Sequence, residues 1–253
     1  VMGQTTYSAM NRTVANAPYR LSATALFMGG TGQPMIIPPN TSEFIGGFVE
    51  ETYEDYIEPT GLCAGGQPGC ASLAAYTPEQ LAPLVGNLPL SQSVAIGRQL
   101  IDNCLRGKDC VATSDPFTAT STVILKDYLI AHPPAGKTIS FVLIANPDRP
   151  NGGLMERFVG GYLPIIDITF NGATPTNSPD TNPLLTVDVV RQYDGWGDFP
   201  NNPLNLLADI NAVLGSAYLH DKMHDFDVDP QLQGQFQDTT YYLEPSNLLP
   251  VLI

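Results

Sequence analysis

Residues 138–145, TISFVLIA, are the stretch on which the fold turns. Bounded by Gly136 and Pro147, the run is apolar almost throughout, so neither side of its pleat is made for water. A strand with two apolar faces belongs in the middle of a parallel sheet covered by helices. Upstream, residues 21–28 (LSATALFM) read as a second buried strand emptying into the turn Gly29-Gly30-Thr31-Gly32. Residues 33–76 are rich in Pro and Gly and read as irregular, and Thr77-Pro78-Glu79 reads as a helix start. Val94, Ile96, Leu100, Ile101 and Leu105 recur near a 3.6-residue period, which predicts a helix over 93–105. Residues 110–113 form a short candidate strand, followed by a helix over 116–130 with Pro116 in its first turn, where the missing N–H costs nothing. Downstream, residues 162–170 and 185–193 are two further candidate strands, and residues 204–214 form a helix stopped by Gly215. Strands alternating with helices predict an α/β fold, with a mostly parallel central sheet and helices on both faces, in a single domain over 1–253.

Composition narrows the function. With 43% hydrophobic and 14% charged residues, the chain is too apolar for disorder and too sparsely charged for a coiled coil. A net charge of −14 argues against nucleic acid as a partner, because binding there begins with neutralising phosphates, and against attraction to an anionic membrane. No uncharged apolar run approaches the ~20 residues of a transmembrane span. The first residues, VMGQTTYSAMNRTVANAPYR, lack a signal-peptide core, and without an initiator Met they read as the start of a mature form or an excised domain.

The four cysteines fall into two close pairs, Cys63 with Cys70 and Cys104 with Cys110. In an acidic, Pro- and Gly-rich chain these read as two small-loop disulfides of an exported protein. A zinc site competes, but neither pair has C-x₂₋₄-C spacing. His220 and His224 stand four apart, on one face of a helix, yet H-D-K-M-H lacks the Glu of a zincin motif, and the third histidine is His132. No metal is expected.

Several strings together resemble the PE-PPE C-terminal domain, an α/β-hydrolase-type family of mycobacterial envelope proteins related to cutinase-like serine esterases. They are FMGGTG at 27–32, TPEQL at 77–81, LSQSVAIG at 90–97, SFVLIANPDRPNGG at 140–153, IIDITFNGATP at 165–175 and QYDGWGDFPNNPLNLLADINAVLG at 192–215. They occur in the family's order and cover most of the chain. The resemblance implies a serine hydrolase or acyltransferase working on acyl esters or envelope glycolipids, secreted or held at the cell envelope. It implies no metal or organic cofactor, and a triad in the order Ser, Asp, His.

The chain departs from the family at the nucleophile, because no G-x-S-x-G string exists here. One placement puts Val111-Ala112-Thr113-Ser114-Asp115-Pro116 at the elbow, with Ser114 as nucleophile at a strand-to-helix turn. A second aligns residues 117–122, FTATST, and leaves Thr120 beside Ser121 where the serine should be. The first is preferred, since Ser114 ends the only plausible strand nearby; read without the family, Ser-Asp-Pro is also good helix-capping chemistry. His220 sits where the family carries its base after the helix, ahead of His224 and His132. For the carboxylate, Asp194 directly follows the strand over 185–193 and Asp198 is its rival; Asp167, in an apolar run, is less suited and would need a partner if buried.

An oxyanion hole needs one N–H after the nucleophile and another from an early loop. Asp115 supplies the first and Thr31, among the glycines, the second. Residues 33–62 and 247–253 are candidates for a cover over an acyl chain, with the tail packed on the sheet as the plainer reading. The contrasting function is a non-catalytic lipid- or envelope-binding module that kept the fold and lost its nucleophile.

Overall fold

The computed structural model describes residues 24–63, 70–107, 110–114, 116–133, 135–202, 204–220 and 230–253. The chain runs through β1 (Thr24–Phe27), α1 (Ser42–Thr52) with a π turn (Tyr53–Ile57) and a 3-10 turn (Glu58–Thr60) behind it, β2 (Ala71–Ala74), α2 (Leu90–Gly107), β3 (Cys110–Ser114) and α3 (Pro116–Ala131). It continues through β4 (Ile139–Ile144), α4 (Leu154–Arg157), β5 (Tyr162–Leu163), β6 (Ile168–Thr169), β7 (Thr186–Arg191), α5 (Leu206–Tyr218), β8 (Gln231–Phe236), β9 (Thr239–Glu244) and a closing 3-10 turn (Pro250–Leu252).

Seven strands form one sheet in the order β2-β1-β3-β4-β7-β9-β8, and every neighbour pair is parallel except β8 with β9. The TISFVLIA stretch is its central strand, β4, buried along its whole length. Its period-two side chains divide between two cores. Val142 and Ile144 join Phe27, Val187, Val189 and Tyr242 under Phe48, Tyr56 and Ile57 of the α1 region. Phe141 and Leu143 join Leu26 and Met28 on the opposite face, under Ile101 and Leu105 of α2 and Val123, Leu125 and Leu129 of α3. The fold is therefore α/β with helices on both faces. Each such aliphatic or aromatic side chain, fully buried, contributes about 1.5–3 kcal/mol.

Several expectations are corrected. No helix starts at Thr77; the segment is irregular up to a bridge between Leu81 and Val85, with Pro78 and Pro83 removing backbone donors and Glu79 at a φ of 52°. Residues 162–170 do not enter the main sheet. Pro164 interrupts the run and Asp167 turns the chain at a φ of 52°, leaving a two-stranded β5-β6 hairpin with Ile165 82% exposed. Residues 33–62, read as irregular, carry α1 and part of the core rather than a cover over a site. Helix α5 runs past Gly215 to Tyr218. The β8-β9 hairpin, which completes the sheet, went unread in the sequence, and the tail packs on α5, where Val251 N–H donates to Asn211 Oδ1 at 3.1 Å.

Cys63 and Cys70 are bonded, with Cα atoms 5.3 Å apart. The side chains of Cys104 and Cys110 lie outside the described residues. No described helix is long and apolar enough to cross a membrane.

The C-terminal hairpin is fastened across the sheet by a buried ion pair: Lys126 Nζ of α3 lies 2.8 Å from Asp238 Oδ1, and both side chains are at most 5% exposed. Burial lowers the Lys126 pKa, and the Asp238 charge opposes that shift. The substitution Lys126→Met leaves the Asp238 carboxylate buried without its cation, so we expect a loss of about 3–5 kcal/mol, read from the urea midpoint.

Two other buried carboxyls titrate in the opposite sense from a surface acid. Burial pushes Asp148 up to about 7 against the Thr120 hydroxyl bond, and pushes Glu244 up to about 9 against the nearby Arg191 charge. Both folded values lie above the roughly 4 of an unfolded carboxyl, so the fold holds protons that the unfolded chain releases. That stabilisation is complete below about pH 4 and is lost as pH rises through 7 for Asp148 and 9 for Glu244. Urea midpoints should therefore fall from pH 5 to pH 9, and Glu244→Gln should flatten the part between 7 and 9.

Candidate active site

Because β1, β3, β4 and β7 are parallel, their C-terminal ends meet at one edge of the sheet, the usual position of sites in such folds. The Gly29–Gly32 loop, Ser114, the loop after Ile144 and the loop after Arg191 all leave from that edge. Ser114 is the last residue of β3, in register with Leu143 of β4, and α3 begins two residues later at Pro116. A strand that ends on a serine and turns at once into a helix has the outline of a nucleophile elbow. The Ser114 side chain and the whole of Asp115 lie outside the described residues, as does the side chain of Ser121.

Asp194 and His220 are brought together. Asp194 has no exposed surface, and His220 Nδ1 lies 3.0 Å from both of its carboxylate oxygens. The Trp196 N–H donates to Asp194 Oδ1 at 3.1 Å, so the carboxylate is oriented from the loop as well as from the imidazole. An ionised carboxylate only accepts, which puts the proton on Nδ1 and the lone pair on Nε2. The Trp196 ring stands 6.2 Å from the His220 ring and tilted by 51°, an apolar wall beside the imidazole.

Local sequence produces this contact by removing side chains. His220 lies two residues beyond α5, whose final turns pass directly over the Asp194 loop. A Cβ on Gly215 would sit 1.8 Å from the Tyr193 carbonyl oxygen, and one on Gly195 would sit 2.3 Å from the Ala212 carbonyl oxygen. Only glycine fits at either point. The expected glycine stop is thus a glycine of close approach in the body of the helix.

Asp198 has a different task. Its Oδ2 accepts the Tyr193 N–H at 2.8 Å, closing the loop where Tyr193 takes a φ of 68°. Burial raises its pKa, and the Tyr193 bond opposes the rise. Asp167 is exposed, accepting from Ser91 N–H at 3.1 Å and from the Tyr162 hydroxyl at 2.8 Å. His132 stacks on Tyr128 with ring centroids 4.5 Å apart at the far end of α3, and His224 lies outside the described residues. In the early loop, Thr31 has a buried hydroxyl oxygen with no hydrogen-bond partner among the described residues. Gly32 N–H donates to the Glu79 carbonyl at 2.8 Å, which holds that loop in place. No group of three metal-ligating side chains occurs among the described residues.

A buried polar cluster under the site was not read from the sequence, although its residues lie in the NPDRPNGG string. Asn146 Nδ2 donates to Asp188 Oδ2 and Thr174 Oγ1, both at 2.8 Å, and its Oδ1 accepts from Asp148 N–H at 3.0 Å. Arg149 Nη1 lies 2.6 Å from Asp188 Oδ1. The buried Thr120 hydroxyl of α3 donates to Asp148 Oδ2 at 2.9 Å, tying the helix behind Ser114 to the loop after β4. That loop is in turn joined to the Asp194 loop by Phe199 N–H on Gly152 O (2.6 Å) and Leu154 N–H on Trp196 O (2.9 Å). Beside the site runs a cleft of about 720 Å³ lined by Phe199, Pro200, Leu207, Ile210, Leu249 and Val251, together with polar loop residues.

Comparison with known proteins agrees with the resemblance read from the strings. The chain is 35% identical over 245 residues to the PE family protein PE3 of Mycobacterium tuberculosis, covering 90% of this chain and 48% of that protein. It is 36% identical over 247 residues to Esterase PE16 of the same organism, covering 90% of this chain and 43% of that one. A shorter match, 36% identical over 103 residues, covers 37% of this chain and 27% of the diacyltrehalose acyltransferase Chp2, also of M. tuberculosis. The chain thus spans less than half the length of the curated relatives it matches. Residues 68–253, which include both strings of the buried cluster and the Asp194–His220 pair, match the family described as the PE-PPE domain, and the chain belongs to that family.

Proposed function

We propose that this chain is the catalytic domain of a serine esterase or acyltransferase, with Ser114, His220 and Asp194 as its triad. The observation that carries the reading is the buried Asp194 carboxylate on His220 Nδ1, at the sheet edge where β3 ends on Ser114. The chain order Ser, Asp, His is that of α/β hydrolases. Relatives named as an esterase and as an acyltransferase support the class of chemistry.

In this mechanism His220 Nε2 takes the Ser114 hydroxyl proton as Oγ attacks the acyl carbonyl. The oxyanion is received by N–H groups of Thr31 and Asp115. Collapse breaks the ester bond, and the leaving alkoxide takes its proton from His220. Water, or a hydroxyl of an acceptor such as a glycolipid sugar, then resolves the acyl-enzyme with His220 again as base. Asp194 stays ionised throughout and stabilises the imidazolium. Thr120, the rival nucleophile, already spends its buried hydroxyl on Asp148, which favours Ser114. The Cys63–Cys70 disulfide suits a protein that works outside the reducing cytoplasm, secreted or held at the envelope.

A fluorophosphonate should label the folded protein once, with the adduct mapped to Ser114. Ser114→Ala should lose the label and lower ester turnover on the order of 10⁴-fold or more. No adduct on a protein shown to be folded would favour the binding module instead. The two acids should separate cleanly. Asp194→Asn, which reverses the tautomer of His220, should reduce kcat on the order of 10⁴-fold, whereas Asp198→Asn keeps an acceptor for Tyr193 N–H and should stay within about tenfold.

A further inference from the structure

Helix α5 is built inside out. The residues it buries are Asn211, Ala212 and Gly215, whereas Leu207 is 81% exposed, Leu206 72% and Val213 64%. Ile210 stands on the same outward side, and Leu252 of the closing turn, 70% exposed, belongs to the tail packed against the helix. An outward cluster of large aliphatic residues on one helix calls for a covering surface, because isolated exposed leucines are ordinary but a contiguous patch is not.

Charge identifies the cover. Residues 199–220 contain one Asp and no Glu, Lys or Arg, and residues 245–253 contain none of the four, in a chain whose net charge is −14. The face offers no Lys or Arg for anionic headgroups and no Arg or Trp anchor of the kind that dominates protein interfaces. Its single aromatic at the rim is Tyr218, an amphipathic ring suited to a lipid–water boundary. We propose that the outward face of α5, with the C-terminal tail, is a docking surface for a lipid layer of no net charge. The helix would lie along that layer and sink its aliphatic side chains to roughly 5–10 Å, the depth of an interfacial helix. Leu207 and Ile210 belong both to this face and to the lining of the apolar cleft, so the cleft opens onto the docking surface.

The proposal does not depend on Ser114 being a nucleophile, and the experiment keeps the two apart. The purified protein is floated with phosphatidylcholine vesicles, with Ser114→Ala and the double variant Leu206→Gln, Val213→Gln in parallel; neither substituted position of the double variant lines the cleft. Expected are co-flotation of the parent and of Ser114→Ala, unchanged by high salt, and a loss of at least about tenfold for the double variant. The double variant should keep its circular dichroism spectrum and its turnover of a soluble short-chain ester. Replacing phosphatidylcholine with phosphatidylglycerol should weaken binding at low salt. Absence of the parent from the floated fraction overturns the proposal, as does binding that survives the double substitution. A parent that self-associates through this face, with the double variant becoming monomeric and vesicle binding absent, would overturn it in favour of a second copy of the chain.

Discussion

The close approach of α5 to the loop after β7 is the constraint on which the rest of the site depends. A hydrogen-bonded Asp–His pair tolerates little slack, since 3.0 Å separates partners carried by segments 26 residues apart. The distance is met because the helix backbone rests almost directly on the loop backbone, through positions without a Cβ at 195 and 215. A methyl group at either would have to displace a main-chain carbonyl, and the whole helix with it. Loss of that packing would move the imidazole rather than merely soften the core.

The loop cannot be placed by one helix alone, and the buried polar cluster supplies its other support. Asp188 inside β7, Arg149 and Asn146 after β4 and Thr120 in α3 bind one another in a region with almost no solvent. Burying so many polar groups is costly unless each finds a partner, and their mutual bonds offset the cost. What they fix is relative position. The helix behind Ser114 is held to the loop after β4, that loop is held to the loop of Asp194, and Asp194 is held to His220. A misplacement of about 1 Å in such a chain of contacts is enough to disable acyl transfer.

The strands were legible where hydrophobicity was continuous. TISFVLIA and the residues before GGTG became central strands because a fully buried parallel strand advertises itself in composition. The β8-β9 hairpin did not: β8 is an exposed edge reading QLQGQF, and β9 reads TTYYLE, whose polar atoms are paired only in the assembled sheet. Residues 162–170 misled in the other direction, since an apolar run interrupted by Pro164 forms an exposed hairpin as readily as a strand. For the site, order along the chain suggested Asp194 and His220, but the choice over Asp198 rested on a contact that sequence spacing does not encode. Gly215 shows the limit most plainly. A glycine near the end of an apolar stretch reads as a stop, and only the loop lying against it reveals the other reason for having no side chain.

That same constraint explains why α5 faces the wrong way. A helix pressed this closely onto a loop has room beneath it only for small or hydrogen-bonding residues, and Asn211, Ala212 and Gly215 occupy that side. An amphipathic helix would normally bury its leucines there; here they can only point outward. In a monomer in water this arrangement forfeits apolar burial of about 1.5–3 kcal/mol for each large side chain left out. A surface that covers those side chains restores the loss, and it does so two residues from His220. Geometry that sets the imidazole and the apolar face turned to a lipid layer are therefore two consequences of one packing decision: the inward side of α5 was given to the site, and its outward side was left to whatever the site must reach.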